Sequence, residues 1–205
     1  MIYTNAELRT KFRDYANPMA KVANMAKSKK IIRVTHGLYV DDPNIDPLFL
    51  SSYIYGPSYV SFETALSMYG LIPENAVAIT CATCGKSKKK VYETPFGSYI
   101  YRDVPLKAFP EYTSLVNGEG GIGYLIATRE KAVCDKLYTI RSVKTNKGFI
   151  ELLFDDLRLD HEGIMSLDIK ALEELSPLYR SPNVRMLLEY RKGEPADEHG
   201  FEVTD

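Results

Sequence analysis

The sequence predicts an α+β fold in two parts: a small helix-and-hairpin module over residues 1–42, then a larger α+β domain over 43–192. Two observations lead there. The hydrophobic period switches from helical to strand-like near residue 31, and strand-like runs with glycine or proline turns then recur until helical spacing takes over after residue 128. The larger domain is thus expected to hold a mostly antiparallel sheet and a helical C-terminal third. A third observation separates the two parts by charge. Residues 1–40 carry eight Lys or Arg against Glu7 and Asp14, a net +6, whereas the other 165 residues carry −7. Residues 41–80 contain no Lys or Arg at all. A basic head on an acidic body is what a protein shows when only the head meets a polyanion.

The head reads element by element. Thr4-Asn5-Ala6-Glu7 has the form of a capping box, with Tyr3 and Leu8 at the two positions of a hydrophobic staple. A first helix is expected over 5–13, with Leu8 and Phe12 on its buried side. Asn17-Pro18 pairs a good N-cap with proline at the first helical position and starts a second helix over 18–28. Met19, Val22, Ala23 and Ala26 form its expected apolar face, and Asn17, Lys21, Asn24 and Ser28 its solvent stripe. Ile31-Ile32-Arg33-Val34 and Leu38-Tyr39-Val40 flank Thr35-His36-Gly37, a hairpin with glycine at a positive-φ position. Helix, turn, helix and two-stranded wing in 40 basic residues is the order of a winged helix-turn-helix, whose second helix enters the major groove. Lys21 and Asn24 are then candidates for reading base edges. Lys27, Lys29, Lys30 and Arg33 are candidates for phosphates, with Thr35 and His36 at the wing tip. A module of this kind can also dock proteins, so double-stranded DNA and a protein partner both remain open here.

In the larger domain, a short helix is expected over 48–55 and an extended Ser58-Tyr59-Val60. Ser61 is expected to cap a helix over 62–69, closed by Gly70. Further expectations are a buried strand over 76–80, a hairpin of 91–94 with 98–102, a strand over 123–127, and a helix from Thr128 to about residue 141. Three more helical stretches, over 147–157, 168–175 and 182–191, precede an acidic tail over 193–205. No apolar run opens the chain, so neither a signal peptide nor a membrane anchor is expected, and Cys81, Cys84 and Cys134 read as reduced cytoplasmic thiols.

Chemistry-bearing patterns are sparse. Cys81-Ala-Thr-Cys84 has metal or redox spacing, but no second pair exists and Cys134 is distant, so structural thiols, no metal and no cofactor are expected. Lys86, Lys88, Lys89 and Lys90 form either a solvated loop or a second patch for an anion or a partner. The glycine run 118–123 precedes a strand, whereas a phosphate cradle follows one. Glu130, Asp135 and Asp155-Asp156 would be the carboxylates of a Mg²⁺-dependent nuclease, but their spacing does not make them converge. The sequence does not ask for an enzyme.

Ser58-Tyr-Val-Ser61-Phe-Glu-Thr-Ala65-Leu66-Ser-Met-Tyr69-Gly70-Leu71-Ile72-Pro73-Glu74 and Ala127-Thr128-Arg-Glu130-Lys131-Ala132-Val-Cys-Asp135-Lys-Leu137-Tyr138 resemble signatures of the AbiEi family, antitoxins of AbiE-type (type IV) abortive-infection toxin–antitoxin systems. Thr94-Pro95-Phe96-Gly97 and Gly37-Leu38-Tyr39 fit the same family, and the resemblance spans about residues 3–138. It implies a winged helix that represses the protein's own operon from its promoter. It also implies a C-terminal domain that counters a nucleotidyltransferase-like toxin. Separately from the resemblance, a winged helix can serve as a dimerisation module, so a homodimer stays open.

Overall fold

A computed structural model of the chain describes residues 1–118 and 121–193. The expected acidic tail beyond Gly193 and part of the glycine run, residues 119–120, lie outside the described residues. The fold is mixed α+β with two sheets and a helical C-terminal part.

In the N-terminal part, β1 (Ile2–Thr4) leads into α1 (Asn5–Lys11), followed by α2 (Pro18–Lys27), β2 (Ile32–Thr35) and β3 (Leu38–Val40). The capping box forms: Thr4 Oγ1 accepts from the Glu7 amide at 3.3 Å, and Glu7 Oε2 accepts from the Thr4 amide at 2.7 Å. β1 escaped the sequence reading because three residues are too short for an alternation to register. It pairs antiparallel with β3, giving the sheet order β1-β3-β2. The hairpin tip is tied down, since the Asn5 amide donates to the Gly37 carbonyl at 2.9 Å. Gly37 has φ 81°, and a Cβ there would stand 3.0 Å from the Asn5 side-chain amide, so glycine serves both the turn and the close approach.

Strand alternation divides β3 between two cores. Tyr39 joins Leu8, Val22 and Ile31 in a small core beneath the helices. Leu38 and Val40, with Val34, face the other way into the main core. The head is therefore packed onto the body through its own hairpin.

The main sheet has the order β6-β7-β5-β4-β9-β8, with β4 (Tyr59–Val60), β5 (Ile79–Thr83), β6 (Lys90–Thr94), β7 (Gly97–Asp103), β8 (Thr113–Asn117) and β9 (Gly123–Ala127). It is more mixed than the strand pattern suggested, because β5–β7 and β4–β9 pair parallel. Parallel pairing follows from crossover connections, which local periodicity does not encode. One sheet face meets α3 (Ser51–Ile54) and the 3-10 turn before it: Tyr99 and Tyr101, two apart on β7, donate to the Pro47 and Ser51 carbonyls at 2.7 and 2.6 Å. The other face carries α4 (Phe62–Met68) and α5 (Arg129–Tyr138).

Gly70 ends α4 as expected, at φ 67°, with the Leu71 and Gly70 amides returning to Leu66 and Ser67. The strand expected at 76–80 begins three residues late. Ala76 to Ala78 stay out of the sheet and Val77 is fully exposed, because apolar character alone does not distinguish a strand from the apolar lip of a cavity. The C-terminal third comprises α6 (Asn146–Glu151), a π-helical turn Leu152–Asp156, α7 (His161–Met165), α8 (Ile169–Tyr179) and α9 (Pro182–Lys192). It packs around α5. Buried Asn183 closes the C-terminal end of α5, donating to the Leu137, Ile140 and Arg141 carbonyls and accepting from the Val143 amide. Among the described residues no helix is long and apolar enough to cross a membrane.

Candidate nucleic-acid interface and ion-triad pocket

The geometry of α2 follows from its first residues. Asn17 Oδ1 accepts from the Ala20 amide at 3.0 Å, so this side chain caps the helix as expected and its acceptor is not directed outward. Val22 is wholly buried, with Met19, Met25 and Ala26 packed around it. Ala23, expected on this face, is exposed, and Met25 takes its place. At about 100° per residue, position 25 lies about 60° from Val22 and position 23 about 100°, and the longer methionine reaches the core. The outward stripe is therefore Ala20, Ala23, Asn24 and Lys27. Lys21 is only half exposed, its ammonium 4.9 Å from the centre of the Tyr15 ring.

Ser28 closes the helix, its hydroxyl donating to the Met25 carbonyl at 3.1 Å. Lys29 then takes a left-handed conformation, φ 56°, and the Lys30 and Lys29 amides return to the Met25 and Ala26 carbonyls. This is a Schellman closure with lysine where glycine is usual. It turns the chain into β2 and leaves Lys27, Lys29 and Lys30 exposed at the negative end of the helix dipole. On β2, exposed Arg33 donates to the Thr35 carbonyl at 3.2 Å and lies 3.2 Å from His36 Nδ1. Among the described residues none of these four cations is in an ion pair, so their charge is available to a partner.

The second basic segment is organised by one carboxylate. Asp103 accepts from Thr83 Oγ1 at 2.6 Å and from the Lys86 and Ser87 amides. Lys86 lies 5.3 Å from the Tyr55 ring, while Lys88, Lys89 and Lys90 are exposed. They lead into β6, an edge strand that lies against β2.

On the helical face of the main sheet, the expected Ser61 cap is replaced by something else. The hydroxyl makes no cap but donates to Asp135 Oδ2 at 2.7 Å. Tyr59 donates to the same oxygen at 2.9 Å, and Tyr179 donates to Oδ1. Lys131, one helical turn before Asp135, lies 3.4 Å from it and donates to the Ala108 carbonyl at 2.7 Å and to the Tyr179 hydroxyl at 2.8 Å. Lys131, Asp135, Ser61 and Tyr59 are all buried. Burial pulls the Lys131 amine below its usual value, against the attraction of Asp135, and pushes both phenols well above theirs. With its groups satisfied and its members buried, the network acts as a staple joining β4, α5 and α8. No pattern in one segment announces it, because its members come from residues 59–61, 108, 131–135 and 179.

Beside it the chain is strained: Phe62 is fully buried at φ 53°, a conformation rare for a bulky residue. The next residue, Glu63, accepts from Arg102 Nη1 at 3.0 Å through both carboxylate oxygens and from Lys136 Nζ at 2.7 Å. Burial pushes the Glu63 carboxyl up, but the Lys136 hydrogen bond and both cations outweigh it and hold the group below its ordinary value. This triad borders a cavity of about 450 Å³ whose walls include Leu66, Ile72, Val77, Ile100 and Leu157.

The remaining carboxylates do not assemble. Glu130 accepts from the Asp168 amide, Asp135 is in the staple, and Asp155 and Asp156 are exposed. Among the described residues no three His, Cys, Asp or Glu gather to hold a metal. Cys81 and Cys134 are buried thiols and Cys84 is half-buried. No known protein family and no characterised protein matches the chain in sequence.

Proposed function

We propose that the chain is a cytoplasmic, AbiEi-like autorepressor and antitoxin whose N-terminal part is a winged helix-turn-helix for double-stranded DNA. One observation carries the DNA half. α2 turns a narrow face of Ala20, Ala23, Asn24 and Lys27 outward beside a hairpin, and three more cations outside any ion pair, Lys29, Lys30 and Arg33, continue that face. Small side chains let a helix sit deep in a major groove, where alanine can meet a thymine methyl and asparagine can pair with adenine. The order β1-α1-α2-β2-β3, with β3 central in its sheet, agrees with the winged arrangement. Lys27, Lys29, Lys30 and Arg33 then grip phosphates, Asn24 reads a base, and Lys88 to Lys90 extend the footprint along the flank.

The antitoxin half rests on the resemblance of the two long segments. Their most chemically distinctive residues, Tyr59 and Ser61 in one and Lys131 and Asp135 in the other, meet in a single buried network. That convergence supports treating both segments as one built unit that counters a nucleotidyltransferase-like toxin.

The DNA half is tested by fluorescence anisotropy with the duplex upstream of the gene, titrated at several salt concentrations. Tight binding whose affinity falls steeply with salt is expected. Binding no better than to unrelated duplex would overturn it. The antitoxin half is tested by co-expression with the neighbouring gene product, and failure to restore growth would remove it.

A further inference from the structure

We propose that the cavity beside Glu63 is a binding site for a small monocarboxylate with an apolar body. The inference goes beyond the DNA-binding reading and does not depend on it. At about 450 Å³ the space is of the size that holds small organic ligands. Leu66, Ile72, Ile100 and Leu157 supply apolar walls, and Val77 stands fully in solvent on the lip, where a ligand would cover it.

The polar wall decides the ligand's charge. Arg102 brings five N–H donors and Lys136 three. Glu63 engages only Nη1 of the arginine and the lysine ammonium. Among the described residues Arg102 Nε and Nη2 make no other hydrogen bond, and the triad carries one net positive charge. Its side chains are 19% to 28% exposed, so the surplus donors are open to an incoming acceptor. A carboxylate satisfies such donors through two oxygens.

The rim sets an upper limit on that charge. Glu74, whose charge Arg158 offsets, and exposed Asp156 line the mouth, and the one net negative charge left there disfavours phosphates and other polyanions. A single carboxylate on a short chain or ring suits both the wall and the rim.

Calorimetric titration of the full chain with hexanoate, hexanamide and hexylammonium tests this. Hexanoate is expected to bind saturably with one site per chain, hexanamide at least about tenfold more weakly, since a charge-assisted hydrogen bond is lost, and hexylammonium not at all. Arg102→Gln should weaken hexanoate about tenfold or more. Ala76→Trp, on the half-buried lining, should abolish binding by filling the space while the circular dichroism spectrum stays unchanged. No saturable hexanoate binding through the millimolar range overturns the proposal. So does binding of the amide or the ammonium as tight as the carboxylate, or hexanoate affinity that survives in Ala76→Trp.

Discussion

Asp135 has no exposed surface, yet it is surrounded by three hydroxyl donors and an ammonium. Removing its charge would leave Lys131 buried without a counter-charge, which in such pairs costs about 3–5 kcal/mol. Asp135→Asn is therefore expected to lower stability by that order in urea unfolding. The double variant Lys131→Met, Asp135→Asn should cost less than the two single changes added, because the groups act as one unit. A second residue-scale expectation concerns Lys29. A non-glycine residue at φ 56° pays about 1 kcal/mol or more for its Cβ. Lys29→Gly should raise the melting temperature by a few degrees in a chain of this size. If lysine is kept there to hold a phosphate, the same variant should bind the upstream duplex more weakly, with a salt slope reduced by about one.

At the scale of elements, α2 separates two kinds of contact. Lys27, at the exposed end of the helix, is expected to serve a phosphate, so Lys27→Glu should weaken specific and non-specific duplexes alike. Asn24, on the middle of the outward stripe, is expected to meet a base edge. Asn24→Ala should then cost about 1–3 kcal/mol on the specific site and much less on random duplex, as read by competition binding. Equal losses on both duplexes would assign Asn24 to the backbone instead. Both changes lie on the side of α2 away from Val22 and Leu8, so thermal unfolding should be little altered.

Across the whole molecule, buried tyrosines dominate the response to alkali. Burial raises Tyr59, Tyr99, Tyr101 and Tyr179 above the ordinary tyrosine value of about 10. The folded chain then holds protons that the unfolded chain releases, so their contribution is complete below about pH 10 and is lost as pH rises above it. Lys131, lowered by burial, works in the opposite direction between its folded and ordinary values, but it is one group against four. Stability to urea should fall steeply above pH 10, with tyrosinate absorbance rising together with loss of structure. Phenols that ionise in the still-folded protein would contradict the burial described here.

The features readable along the chain were those set by near neighbours. The capping box at Thr4 and Glu7, the Asn17-Pro18 helix start, the Gly37 turn and the Gly70 closure are each decided within five or six residues, where cap chemistry and backbone sterics act. The charge division was legible for the same reason. Of the stripe expected on α2 only Asn24 faces out as read: Asn17 caps the helix, Lys21 leans on Tyr15, Ser28 closes the last turn, and Ala20, Ala23 and Lys27 complete the outward face, with Met25 replacing Ala23 against the core. The parallel pairings of the main sheet, the sharing of the β2–β3 hairpin between two cores, and the diversion of Ser61 from cap to staple arise in the assembled fold. It alone brought Glu63, Arg102 and Lys136 together at a cavity. Those outcomes depend on which distant segments meet, and a carboxylate in one segment carries no local mark of the cation that will neutralise it from another.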